Sequence, residues 1–224
     1  MSKTAIFFLL FVAPALSVLL ILLGLATLRE NLIGAVLLLT GVAYPAGVIY
    51  FYWIRKIPFW QASKEAAREE TRDRSFWMIL PGMLVPFFAS PLEFMYLDPV
   101  LPRTLGMQIL GLALLAFGMA LRLWTRQAIK GMYSGHVQVA AGDALVTTGP
   151  YRYMRHPGYA GFLLVSLGIA LGYGSWIGLA AVPVLLIPGL AYRIQVEERL
   201  LEAHFGEDFR IYTRRVRKLI PWIW

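Results

Sequence analysis

Two short segments hold most of the side chains in this chain that could do chemistry. The first, Leu145-Val-Thr-Thr-Gly-Pro-Tyr-Arg-Tyr-Met-Arg-His-Pro-Gly-Tyr159, gathers two arginines, three tyrosines and a histidine within fifteen residues. The second, Arg193-Ile-Gln-Val-Glu-Glu198, sets a cation beside two carboxylates. Arg193 and Glu197 are four residues apart and therefore share one helical face. With Arg155, His156 and Tyr159 they could line a pocket carrying both charges. Plainer readings stay open at this point. Tyr151, Arg152, Tyr153 and Arg155 could form a belt at the level of lipid headgroups, and Arg193 with Glu197 could be a surface ion pair of little worth.

Other chemistries find little support. The chain has no cysteine, which removes disulfides, thiolate metal sites and a cysteine nucleophile. No serine sits on a Gly-x-Ser-x-Gly turn, and no His, Asp and Glu set has metal-ligand spacing. Gly172-Tyr-Gly174 follows an apolar span rather than a strand, so it is no dinucleotide fingerprint. His136 lies in a glycine-rich stretch and is not expected to be a ligand, while His204 suits a helix C-terminus.

The elements that must position these residues are read from hydropathy. Of 224 residues, 58% are hydrophobic and 15% charged, against roughly a quarter charged in an average soluble domain. A membrane helix takes about 20 mostly apolar residues. Candidate spans run from Thr4 to Leu28, Leu32 to Ile54, Phe76 to Tyr96 and Leu105 to Trp124. Two shorter runs, Tyr159 to Tyr173 and Ser175 to Tyr192, are split at Gly172-Tyr-Gly174 and predict a tight helical hairpin packed on small residues such as Gly161, Gly168 and Gly178. Pro81, Pro86 and Pro91 predict a kinked or broken third span. The hairpin's second helix should leave the membrane as Arg193 to His204 and end at Gly206.

Between the spans lie a charged connector over 55–75 and a polar loop over 125–157. The chain closes on Pro221-Trp-Ile-Trp224, an interfacial anchor. The fold class expected is therefore an all-α integral membrane protein of about six membrane-embedded helices, divided into an N-terminal part over 1–104 and a part over 105–224 that carries both chemical segments. With six crossings, 19 of the 21 Lys and Arg fall on one side and only Arg29 and Arg103 on the other. The positive-inside rule then predicts a multi-pass protein with both termini and the long loop in the cytoplasm. It also accounts for the net charge of +8 without nucleic acid.

The pattern Leu145-Val146-Thr147-x-Gly149-x-Tyr151, then Arg155-His156-Pro157-x-Tyr159-x-Gly161, then Glu197-Glu198, Phe205-Gly206-x-x-Phe209-x-x-Tyr212 and Pro221 resembles the isoprenylcysteine carboxyl methyltransferase family and the related phospholipid N-methyltransferases. The resemblance covers Leu105 to Pro221. It implies S-adenosylmethionine held between a cytoplasmic loop and the hairpin, with a lipid or small amphipathic acceptor (a carboxylate, amine or thiol) arriving from the bilayer. It also implies cofactor contacts at Gln138, Asp143, Ala144, Leu145, Val146, Tyr151, Arg155, His156, Pro157, Gly158, Tyr159, Glu197 and Glu198. Arg193 and Glu197 would be catalytic, with Arg193 facing the acceptor. The roles suit the groups: methyl transfer at a sulfonium depends heavily on positioning, and arginine clamps carboxylate or phosphate. The loop before Leu145 is abbreviated here as Val139-Ala-Ala-Gly142. Two other readings compete: a sterol-reductase-like membrane enzyme using NADPH, and a non-enzymatic membrane scaffold.

Overall fold

The computed structural model describes residues 13–49, 75–129 and 145–219. The connector over 55–74, the loop positions Gln138, Asp143 and Ala144, His136 and the terminal Pro221-Trp-Ile-Trp224 lie outside the described residues. The described chain is helical: α1 (Ala13–Thr27), α2 (Ile33–Ile49), α3 (Ser75–Tyr96), α4 (Leu105–Ile129), α5 (Pro157–Tyr173), α6 (Trp176–Ala181), α7 (Ile187–Phe205) and α8 (Glu207–Arg215). A π-helical turn, Val182–Leu186, joins α6 to α7 without a break. Among the described residues, three stretches are long and apolar enough to cross a membrane, namely Met78–Tyr96, Leu105–Ile129 and Trp176–Phe205; Pro157–Tyr173 is apolar but shorter. Large apolar side chains point outward, Leu39 and Val184 at 67% exposure and Phe117 at 64%. That is costly in water and natural against lipid tails.

The most extensive helix–helix contact lies between α4 and α5. A Cβ on Gly111 would stand 2.5 Å from the Gly168 carbonyl oxygen, and one on Gly168 would stand 2.6 Å from the Gly111 oxygen. Gly118 and Gly161 repeat the arrangement one heptad later, so two small-residue seams interlock backbone to backbone. This corrects the expected partner of Gly161 and Gly168: they face α4 rather than the second arm of the hairpin. Gly178 packs against Ala170 and Ser90, on α5 and α3.

Of the kinked or broken span expected at Pro81, Pro86 and Pro91, the break does not occur: α3 is one continuous helix through all three. Each proline removes one amide donor, but helices in lipid survive this when neighbours enclose the freed groups. Pro86 and Pro91 are fully buried. The end of α3 is closed by Arg103, whose guanidinium donates to the carbonyls of Glu93 (3.1 Å), Phe94 (3.0 Å) and Leu97 (3.0 Å).

The Glu93 carboxylate, 2% exposed, in turn caps α6 from outside the helix. It accepts the Ser175 hydroxyl (2.5 Å) and the amides of Trp176 (3.0 Å) and Ile177 (3.1 Å). Ser175 Oγ also accepts from the Gly178 amide (2.9 Å). Ser175→Ala is therefore expected to lower stability by about 1–2 kcal/mol, read as a drop in the melting temperature of detergent-solubilised protein; an unchanged value would mean that the cap does not hold α6.

The α1–α2 hairpin is held to the rest by a buried polar set. Thr27 Oγ1 shares a hydrogen bond with Tyr173 Oη (2.8 Å), Asn31 Nδ2 donates to the Gly172 carbonyl (2.8 Å), and the Leu32 amide donates to Gln108 Oε1 (3.0 Å). Around it packs an apolar cluster of Leu23, Ile33, Leu37, Leu115, Val165, Ile169 and Tyr173. These contacts sit at one end of α5. The chemical residues sit at the other.

Candidate functional site

α5 begins at Pro157, whose missing amide costs nothing at the first helical position. That choice fixes what precedes it. A 3-10 turn, Gly149–Arg152, opens on Gly149 with φ of 61°, and the chain then passes through Met154 to His156. These residues pair with the C-terminal segment as a short parallel bridge, Met154 with Arg217. The Arg155 amide donates to the Arg217 carbonyl (2.8 Å) and the His156 amide to that of Lys218 (2.9 Å). One turn into α5, Tyr159 projects toward α7. α7 runs on past the apolar region through Arg193 and Glu197 and stops at Gly206, whose φ of 55° ends the helix as expected.

The hairpin does bring the two segments together. Tyr159 Oη donates to Glu197 Oε2 over 2.8 Å, and Arg193 Nε donates to Tyr159 Oη over 3.2 Å. The His156 ring stacks on that of Tyr159, with centroids 5.7 Å apart and planes at 22°. His156 is 4% exposed and lies between both glutamates, Nδ1 at 3.8 Å from Glu197 Oε2 and Nε2 at 3.2 Å from Glu198 Oε1. Arg193 is 6% exposed, so the surface-ion-pair reading does not describe it.

Glu197 and Glu198 occupy different environments. Glu198 accepts from Arg155 Nε (2.8 Å), His156 Nε2 (3.2 Å) and Lys218 Nζ (3.1 Å), and both its oxygens are engaged. Arg155 also donates to the carbonyls of Thr213 and Val216. This is a charge knot that ties the end of the loop to the C-terminal segment. Glu197 is different: its side chain is 27% exposed, and its Oε1 carries no contact among the described residues.

Leu145 packs on Phe209, Tyr212 and Val216, and Tyr212 Oη donates to the Tyr151 carbonyl over 2.6 Å. Burial pushes the Tyr212 phenol well above its usual range, so it stays a proton donor throughout neutral and mildly alkaline pH. Gly158 gives its carbonyl to Arg122 Nη1 of α4 (3.4 Å), and Arg122 lies over the Phe162 ring at 3.4 Å. Pro157 is buried and Val146 half-buried. Tyr153, 54% exposed beside Trp124, keeps the character of a headgroup-level aromatic. A cleft of about 350 Å³ opens between α7 and α8, lined by Gln195, Arg199, Glu202, Phe209, Arg210 and Thr213 with the edges of Arg155 and Glu198.

Sequence reasoning gave no role to Arg122, Tyr212, Val216 or Lys218. For Tyr212 a signal existed, since Phe209 and Tyr212 are three apart after the Gly206 stop and so share a face. For Lys218 there was none, because its role depends on a backbone pairing with residues more than sixty positions away.

The family model for phospholipid methyltransferase matches residues 107–208. The protein-S-isoprenylcysteine O-methyltransferase of Schizosaccharomyces pombe is 35% identical over 79 residues, which are 35% of this chain and 34% of that protein. The protein of the same name from Dictyostelium discoideum is 28% identical over 155 residues, covering 63% of this chain and 60% of that one. The chain thus spans about a third of the length of the more similar curated relatives. The solved structure of the eukaryotic intramembrane Ras methyltransferase ICMT superposes with a TM-score of 0.64 at 22% identity, covering 92% of this chain and 73% of that one. The fold is that of this membrane methyltransferase, and the resemblance read from the motifs stands.

Proposed function

We propose that the chain is an S-adenosylmethionine-dependent methyltransferase working where the bilayer meets the cytoplasm, on a lipid or small amphipathic acceptor. The observation that carries this reading is the Arg193–Tyr159–Glu197 line: a buried cation and a carboxylate with an open oxygen, both beside the loop end, inside the region that matches the phospholipid methyltransferase model. Charged groups at such a depth are expensive unless they do something.

The residues present fit that cofactor. Glu197 has the free oxygen needed to accept from an ammonium or hydroxyl group, and Tyr159 and His156 hold its other oxygen in place. In this reading Leu145, Val146, Tyr151, Pro157 and Gly158 line the cofactor as one wall; Gln138, Asp143 and Ala144, its remaining contacts, lie outside the described residues. Arg155 and Glu198 support that wall from behind, because their polar atoms are spent on each other, on His156 and on Lys218. Bound S-adenosylmethionine supplies an electrophilic methyl on a sulfonium, so no covalent intermediate on the protein is needed. Arg193 orients an anionic acceptor, and the enclosing helices exclude water. We place both termini and the loop on the cytoplasmic side from the charge asymmetry and count six membrane-embedded helices, α5 and the α6–α7 rod being the last two.

Ligand-dependent melting of the detergent-purified protein tests the cofactor. S-Adenosylmethionine and S-adenosylhomocysteine, each at about a hundred times its Kd, should stabilise the native state by about 2.7 kcal/mol. Glu197→Gln should lose most of that gain. Stabilisation by NADPH alone would favour a reductase, and no response to any of the three would favour a scaffold.

A further inference from the structure

α7 runs out of the apolar region, the chain turns at Gly206, and α8 comes back alongside it. Two ion pairs fix the direction: Arg210 meets Glu202 at 2.8 Å, and Lys218 meets Glu198 at 3.1 Å. Later residues of the returning segment thus lie beside earlier residues of α7, nearer the apolar region. The charges of α8 are divided along that path. Glu207 and Asp208 stand in its first turn, at the far end, while Arg214 and Arg215 stand in its last. Arg217 follows, on the residue that bridges to Met154, and Arg152 lies two positions before Met154. All four arginines are exposed, and none has an anionic partner among the described residues. The carboxylates on the facing side of α7 are spent elsewhere, Glu198 on Arg155, His156 and Lys218, and Glu202 on Arg210.

Aromatic side chains mark the height of this strip. Phe117, 64% exposed, and Trp124, 45% exposed, are two turns apart on α4 and share its outward side. Trp124 stands beside Tyr153, with ring centroids 6.3 Å apart. Exposed Trp and Tyr rings at the end of a span sit at headgroup level. Tyr153 adjoins both Arg152 and the bridge to Arg217, so the cations stand at the level of lipid phosphates.

We propose that Arg152, Arg214, Arg215 and Arg217 form a docking surface for anionic lipid headgroups in the leaflet where α7 ends. Juxtamembrane cations are drawn to negative lipid at short range, and arginine suits a phosphate group. The bound lipid also braces the protein. The Arg155 and His156 amides donate to the carbonyls of Arg217 and Lys218 (2.8 and 2.9 Å), so lipid that holds the strip also holds the end of the loop. None of this depends on the methyltransferase reading.

The test compares melting of the full chain in nanodiscs of phosphatidylcholine alone and of phosphatidylcholine mixed with phosphatidylglycerol. The wild type should melt higher in the anionic discs by about 3 °C or more, and the gain should shrink as salt is raised. The triple variant Arg214→Gln/Arg215→Gln/Arg217→Gln should lose most of it. Each variant is compared with itself in the two discs, so a general loss of stability leaves the result readable. Arg29→Gln removes an exposed cation beside the Thr27 and Asn31 contacts, at the opposite end of α5, and should keep the gain. Amide exchange at Arg155 and His156 should slow in anionic discs for the wild type but not for the triple variant. Equal melting in the two discs overturns the proposal, as does a gain that survives the triple variant or falls equally in Arg215→Gln and Arg29→Gln. Inorganic phosphate reproducing the gain in neutral discs would mean a site for free anions rather than a lipid surface, and unchanged exchange would refute the bracing.

Discussion

Glu198→Ala is expected to lower stability by about 3 kcal/mol or more, whereas Glu202→Ala, one turn along the same helix, should change it by less than about 1 kcal/mol. The two glutamates look alike in sequence. Glu202 meets Arg210 at 2.8 Å, but both side chains are about half exposed, so water replaces either partner at little cost. Glu198 is 15% exposed and is shared by Arg155, His156 and Lys218. Without it, Arg155 and Lys218 lose the carboxylate they share, His156 keeps only Glu197 at 3.8 Å, and Arg155 keeps only backbone carbonyls. The loss reaches further than local charge, since this knot pins residues 154–156 against 217–218. Thermal or denaturant unfolding of the two variants side by side is the check. Similar losses would mean that the knot is no more than a surface network.

Gly111→Val is expected to prevent formation of the native helical packing in a large share of molecules, seen as loss of the monodisperse peak in size-exclusion chromatography and of a cooperative melt. Overpacking ordinarily costs about 1–3 kcal/mol because side chains can shift. Here the obstacle is backbone: the new Cβ would meet the Gly168 oxygen at 2.5 Å and Gly172 Cα at 2.6 Å. No rotamer relieves that, so α4 and α5 must separate along their whole seam. Gly106→Val on the same helix is the control, since the nearest atom a Cβ would meet there is Thr104 Oγ1 at 3.8 Å. If both variants behave alike, the seam is not what holds these helices.

These two cases mark where the sequence is legible. Hydropathy located α3, α4, α5 and the α6–α7 rod because burial in lipid is a property of a segment's own residues. The pairing of Gly161 and Gly168 was misassigned because a glycine announces that some backbone approaches, not which one. Pro81, Pro86 and Pro91 suggested a kink or a break, and the break did not follow because the sequence does not show that neighbours enclose Pro86 and Pro91. At the site, Arg193, Glu197 and Tyr159 were legible from i,i+4 spacing and the hairpin. The contrast between Glu197 and Glu198 was not. It depends on Lys218 and on a backbone bridge, both distant in sequence. Likewise, the amphipathic spacing of Phe209 and Tyr212 was visible, but not that it serves to hold Tyr151.

The π turn at Val182–Leu186 has one consequence beyond its local geometry. There the Ile187 amide reaches back five residues, to the Val182 carbonyl, instead of four. One residue added to a regular α-helix turns everything beyond it by about 100°, whereas a π turn absorbs the added residue by closing over five. The rod is keyed at its start by Glu93 and reads out at Arg193 and Glu197, so the turn sets the phase between anchor and chemistry as an offset gear sets the timing of a shaft. The wider turn therefore keeps the phase despite its extra residue, and a one-residue deletion in the α-helical part between Ile187 and Leu190 is a rotation rather than a shortening. It would leave the anchor engaged, keep every candidate side chain in the sequence, and aim them at the wrong neighbour.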